Sequence, residues 1–263
     1  MDYEQIVYEE RPPVAIIRLN RPERMNAHTS TMDREQRDAV MRAEANPEIG
    51  AIIFTGTGRA YMAGADVGGF ADRINDGAKP LESDRTNWTQ FLEGIETPTI
   101  CAVNGVAVGM GVSTMLPMDI RIASEEARFG LFFVKMGVVP ELGSSYYLPQ
   151  LVGLGRAKEW CLTTRLVPAK EACEAGLVTE VVPADRLLDR AIELGTIIAK
   201  QPPPSVRFTK QLFRENATNS DVTAAMRREG ELLNQAFATW EHKEAVSAFL
   251  EKREPNFRAQ PVA

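Results

Sequence analysis

The chain has 263 residues, 44% of them hydrophobic and 25% charged, with a net charge of −6. This is the composition of an ordinary soluble globular protein that can bury a core without disulfides, and the acidic balance leaves no basic footprint for nucleic acid. Cys101, Cys161 and Cys173 lack a C-x-x-C spacing, which argues against a disulfide framework or a metal site. The acidic start "MDYEQIVYEE" resembles no leader, and no apolar run reaches the roughly 18 residues a bilayer span needs, so a cytoplasmic protein without membrane contact is expected.

In chain order, "VAIIRLN" (14–20) is β-branched and strand-like, and "STMDREQRDAVMRAEA" (30–45) reads as a helix opened by Ser30, with Asp33 completing a variant capping box. "AIIFTG" (51–56) is the next strand. It runs into the glycine-bearing turn "GTGRAYMAGADVGGF" (56–70), after which "SDRTNWTQFLEGIE" has helical spacing. The strands "TICAVNG" (99–105) and "DIRIAS" (119–124) flank a helical "GMGVSTMLPM". From "GLGRAKEW" to residue 182 come short helices punctuated by Gly and Pro, with a strand-like piece at 178–182. The helix in "PADRLLDRAIELGTIIAK" is ended by "QPPPSV", and only helices follow. Alternating strand and helix gives an α/β core, taken as residues 1–200, with a helical subdomain at 201–263.

Gly105, Gly109 and Gly111 follow an apolar strand and lead into a helix, the setting of an anion site. Their G-x-x-x-G-x-G spacing matches neither a dinucleotide fingerprint nor a P-loop, and close helix–strand packing explains bare backbone equally well. The 56–70 turn adds a second strand-to-helix junction, with small residues at Gly64 and Ala65. Two such turns can aim two main-chain N–H groups at one oxygen, forming an oxyanion hole in which each donor contributes about 3 kcal/mol to a transition state.

The blocks "LNRPERMNA" (19–27), "GTGRAYMAGADV" (56–67), "PTICAVNGVAVGMG" (98–111), "DIRIASEEARFG" (119–130) and "EHKEAVSAFLEKREPNF" (241–257) occur in this order over nearly the whole chain. They resemble the successive signatures of the crotonase family, the enoyl-CoA hydratase/isomerase superfamily. The resemblance implies a spiral core of ββα turns, a helical C-terminal region that mediates trimerisation, and a homotrimer or dimer of trimers. It implies an acyl-CoA thioester as substrate and an enolate as intermediate, with no cofactor beyond the CoA of the substrate and no metal. Carried over by position, the oxyanion donors are the N–H groups of Ala65 and Met110. The CoA contacts are Arg24, Met25 and Ala27, then Ala63, Asp66 and Val67, with Phe249 and Lys252 reaching the nucleotide end, in some relatives in a neighbouring subunit. For Arg24 and Lys252 a solvated surface charge is the competing explanation.

Hydration asks for one group to activate water and another to deliver a proton. The positions that carry glutamates in the family's hydratases are Ser113 and Phe133 here, Phe133 standing at the substrate. Instead, "VVPELGSSYYLP" places Glu141 where Δ3,Δ2-enoyl-CoA isomerases carry a single catalytic glutamate, and Phe132, Phe133 and Val139 could wall it with apolar surface. The competing role for Glu141 is to stabilise a helix dipole. Three functions stay open: isomerisation with Glu141 as sole acid/base, the leading one; hydration with Glu141 activating water; and acyl-CoA binding without catalysis. His28 and His242, the only histidines, offer little to a metal or a triad. Asp66 is expected to cap a helix, Asp119 to brace a turn, Ser144 and Ser145 to begin a helix, and Trp88, Trp160 and Trp240 to pack.

Overall fold

A computed structural model describes residues 3–66, 68 and 88–257. The chain opens with an antiparallel pair, β1 (Ile6–Arg11) and β2 (Val14–Leu19), followed by α1 (Ser30–Ala45). Next come β3 (Ala51–Gly56) and β4 (Ala60–Met62), then α2 (Trp88–Glu93). A second turn of the spiral is β5 (Thr99–Val103), β6 (Val106–Val108) and α3 (Met110–Ser113). A third is β7 (Ile120–Ser124), β8 (Arg128–Gly130), α4 (Ser144–Val152) and α5 (Leu154–Thr163). Then β9 (Leu166–Pro168), α6 (Ala169–Ala175), β10 (Glu180–Val182) and α7 (Leu187–Ala199) complete the core. The last three helices are α8 (Pro203–Asn216), α9 (Val222–Phe237) and α10 (Trp240–Glu251).

Each ββα turn delivers its first strand to a six-stranded sheet, β1-β2-β3-β5-β7-β10, and its second to a four-stranded sheet, β4-β6-β8-β9. All pairs are parallel except β1–β2 and β8–β9. Strands covered on both faces read as continuous apolar runs, and β3 and β5 are buried at every residue. Ile16, Ile53, Ile100 and Ile122 turn one face toward Leu187 and Ala191 of α7, while Ile17, Phe54 and Cys101 face the main core with Met32, Trp88 and Met115. Burying each such Ile or Phe contributes about 1.5–3 kcal/mol.

The cap of α1 corrects the sequence reading. Thr29, not Ser30, is the N-cap, its Oγ1 accepting the Met32 N–H; its side chain is also held by Gln5. Asp119 braces a turn as expected: its carboxylate accepts the Thr99 N–H and hydroxyl and pairs with Lys210 of α8 at 2.8 Å. That pair ties the last three helices to the core, yet these helices leave Phe213, Met226, Phe237, Phe249 and Leu250 more than half exposed.

Candidate active site

The β3–β4 turn and the loop after β2 are stitched together by buried Asn26. Its side-chain amide donates to the Thr57 and Ala60 carbonyls, and its carbonyl oxygen accepts the Arg21 N–H. Met25 and Asn26 both adopt left-handed backbone, with φ of 51° and 55°, a conformation Asn tolerates better than most residues. The loop then runs beside the turn at residues 63–66, joined by Ala63 N–H to Met25 C=O, His28 N–H to Gly64 C=O and Asp66 N–H to His28 C=O. Arg24, Met25 and Ala27 are thus brought against Ala63, Ala65 and Asp66.

Asp66 accepts the Gly68 N–H at Oδ1 and both terminal guanidinium nitrogens of Arg21 at Oδ2, and Arg21 also donates to the Ala27 carbonyl. First the Gly68 N–H and then the Arg21 guanidinium hold the Asp66 carboxyl below the usual carboxylate range. Asp66 therefore anchors the loop, while the helix it was expected to cap lies outside the described residues. Val67 lies outside the described residues.

Strands β4 and β6 are parallel neighbours, with Ala60 opposite Val106 and Met62 opposite Ala107. Their C-terminal ends carry Ala65 and Met110. Gly109 takes φ of 53° and hydrogen-bonds to the Gly130 carbonyl, turning the chain so that Met110 is the first residue of α3. Gly111 is needed for the other reason weighed from the sequence, close packing: a Cβ there would fall 2.1 Å from the Met62 carbonyl oxygen. Both main-chain donors, the Ala65 N–H and the Met110 N–H on adjoining turns, lack a partner among the described residues.

Ser113 is fully buried, its Oγ 3.4 Å from the Gly109 carbonyl, and Phe133 is buried in the main core. Glu141 follows Pro140 and precedes Leu142 and Gly143, both left-handed at φ of 51° and 75°. Its main-chain carbonyl accepts the Ser144 N–H and hydroxyl, so the backbone and not the carboxylate serves the start of α4. The carboxylate has no hydrogen bond or ion pair among the described residues. Solvent reaches the side chain, yet desolvation by the surrounding protein raises its carboxyl above the usual range. Of the expected wall, Phe133 is buried, Phe132 is half-buried and Val139 is 76% exposed.

Phe249 and Lys252 are exposed at the end of α10, and no hydrogen bond or ion pair joins them to these loops. A cavity of about 930 Å3 lies under α8, lined by Leu116, Met118, Tyr147 and Phe213. It sits at the far end of the segment that α3 begins and includes none of Ala65, Met110 and Glu141.

The family model for enoyl-CoA hydratase/isomerase matches residues 9–260. The chain belongs to that family. It is 38% identical over 257 residues to a Mycobacterium tuberculosis protein named "Probable enoyl-CoA hydratase echA8", covering 98% of this chain and 99% of that one. It is 33% identical over 252 residues to the 1,2-epoxyphenylacetyl-CoA isomerase of Escherichia coli, covering 93% and 94%. The crystal structure of an enoyl-CoA hydratase from Bacillus anthracis superposes with a TM-score of 0.87 at 30% identity, covering 98% of this chain and all of that one. The fold is the α/β crotonase type, and the chain is an acyl-CoA enzyme of this hydratase/isomerase family. No helix among the described residues is long and apolar enough to cross a membrane.

Sequence reasoning missed Arg21, Asn26 and Thr89, whose Oγ1 donates to the Leu142 carbonyl at 2.6 Å. Asn26 left a signal, since an Asn inside a quoted motif invites a buried backbone staple; Thr89 left none.

Proposed function

We propose that the enzyme shifts the double bond of an enoyl-CoA from Δ3 to Δ2 through a thioester enolate, with Glu141 as its sole acid/base. The observation that carries this reading is the Glu141 carboxylate, unpartnered among the described residues and raised in pKa by desolvation, while Ser113 and Phe133 stand where the family's hydratases carry glutamates. Glu141 takes a proton from the carbon between alkene and thioester. The electron pair spreads into the carbonyl and the alkene, and the dienolate oxygen accepts hydrogen bonds from the Ala65 and Met110 N–H groups. The same proton is returned at the far carbon, so one carboxylate completes the cycle, and no group beyond the CoA of the substrate is called on.

A second reading, hydration with Glu141 activating water, is favoured by the hydratase names of relatives. Incubating the enzyme with a 3-enoyl-CoA and, separately, a 2-enoyl-CoA distinguishes them. Isomerisation of the first without mass change supports the proposal. Gain of one water by the second, without isomerisation of the first, replaces it with hydration.

The same reading makes the protein a cytoplasmic homotrimer or dimer of trimers. The apolar residues exposed on α8, α9 and α10 support assembly, and the free cysteines suit a reducing compartment. In that assembly Phe249 and Lys252 reach the nucleotide end of CoA across a subunit boundary. Light scattering of the purified protein measures its mass directly.

A further inference from the structure

The short helix α2 touches both halves of the candidate site. Trp88, at its first turn, is buried and donates its indole N–H to the Thr114 carbonyl at 2.9 Å. Thr114 caps the C-terminal end of α3, and its own N–H bonds the Met110 carbonyl. The neighbouring residue, Thr89, is 7% exposed and donates its hydroxyl to the Leu142 carbonyl at 2.6 Å. Its methyl group also packs at Gly143, 3.6 Å from where a Cβ on that residue would lie.

Leu142 needs such a hold. A leucine with φ of 51° occupies a region that L side chains with a Cβ rarely adopt, and such strain persists only where the surroundings over-determine it. The left-handed Leu142–Gly143 pair reverses the chain between Glu141 and α4, so its conformation sets where the Glu141 side chain emerges. The Ser144 N–H and hydroxyl fix the Glu141 carbonyl from the other side.

We propose that Thr89 is a positioning residue for the reaction: through its hydrogen bond to the Leu142 carbonyl it fixes Glu141 relative to α3, whose Thr114 carbonyl the same helix holds through Trp88. The inference rests on Glu141 being the acid/base. A carboxylate that must reach two carbons of one substrate while an oxyanion is held elsewhere depends on that separation, and a displacement of about 1 Å at a reacting group can cost 100-fold in rate. Binding of CoA, which the resemblance assigns to residues of the 21–28 and 63–66 loops, is not expected to depend on it.

The test compares Thr89→Val, which removes the donor at nearly constant volume, with Thr89→Ser, which keeps it, assaying the isomerisation of a 3-enoyl-CoA. Thr89→Val is expected to lower kcat at least tenfold with KM within about twofold of the parent, and Thr89→Ser to restore kcat to within about threefold. The acid limb of the pH–rate profile should move toward lower pH in Thr89→Val as Glu141 gains water. Thr89→Ala serves in the same comparison where Thr89→Val does not fold. Unchanged kcat in the donor-less variant overturns the inference. So does an equal loss in Thr89→Ser, or a parallel loss of kcat, substrate affinity and thermal stability, which marks a merely structural contact. Glu141→Gln is assayed alongside: if it stays active, the acid/base assignment has failed and the inference with it, whereas an inactive Glu141→Gln beside a fully active Thr89→Val fails the Thr89 inference alone.

Discussion

Gly111 rests on the main chain of Met62 so closely that a Cβ at 111 would lie 2.1 Å from the Met62 carbonyl oxygen and 3.0 Å from its carbon. This contact joins the start of α3 to the end of β4, and therefore the Met110 turn to the Ala65 turn. Gly111→Ala must push the two turns apart, because the obstructing atoms are backbone and cannot rotate away. Overpacking of this kind costs about 1–3 kcal/mol. The variant is expected to lose that much stability in chemical denaturation and to lose kcat by a larger factor than the melting shift explains.

Met110→Pro tests the Met110 N–H as an oxyanion donor. Met110 is the first residue of α3, where proline is tolerated because the N–H has no partner within the helix. The Thr114 N–H bond to the Met110 carbonyl remains available. If the N–H holds an enolate, kcat should fall by about 100- to 1,000-fold. Met110→Ala, which loses the partly buried side chain and keeps the N–H, should fall far less. Equal losses in the two variants would assign the effect to packing.

How much of this was legible in the sequence depends on how local the cause is. The long strands β2, β3, β5 and β7 announced themselves by apolar, β-branched runs, and α1 by its spacing. The strands β4, β6, β8 and β9 have three residues each, too few for any periodicity, and exist because their neighbours in the second sheet pair with them. Ser30 begins the periodic run and so reads as the cap, while Thr29 wins by its extended backbone and its reach to the Met32 N–H. Glu141 was visible through a motif. Thr89 was not, because its partner lies 53 residues away and nothing in "NWTQFLEG" encodes that contact.

Asn26 joins residues 31 and 34 positions away through one buried amide. Asn26→Ala leaves the partly buried Thr57 carbonyl and Arg21 N–H without this partner, each at a cost below the about 1–3 kcal/mol of a fully buried orphan. The loop it holds carries Arg24, Met25 and Ala27. The expected result is a lower melting temperature together with weaker binding of a CoA ester by calorimetry. Arg24→Ala, exposed and free of ion pairs among the described residues, should weaken the ester without altering the melt.

Glu141 links activity and stability to pH in opposite directions. Desolvation raises its carboxyl above the usual range in the folded protein, so the native state binds the proton more tightly than the unfolded chain. Stability therefore falls as pH rises from the unfolded carboxylate pKa through the raised native one, and below both values the contribution vanishes. If Glu141 is the base proposed above, catalysis needs its ionised form and is lost as pH falls through the same raised value. Glu141→Gln removes the ionisation. It should lower isomerase turnover by about 100-fold or more and leave CoA-ester affinity nearly unchanged. It should also melt higher than the parent at neutral pH, the advantage closing as the pH is brought below the ordinary carboxylate range. Melting curves across that range, set beside the pH–rate profile of the parent, test both halves. A variant less stable than the parent at pH 7 would mean that the Glu141 carboxylate is held by a favourable partner and is not a desolvated base awaiting its substrate.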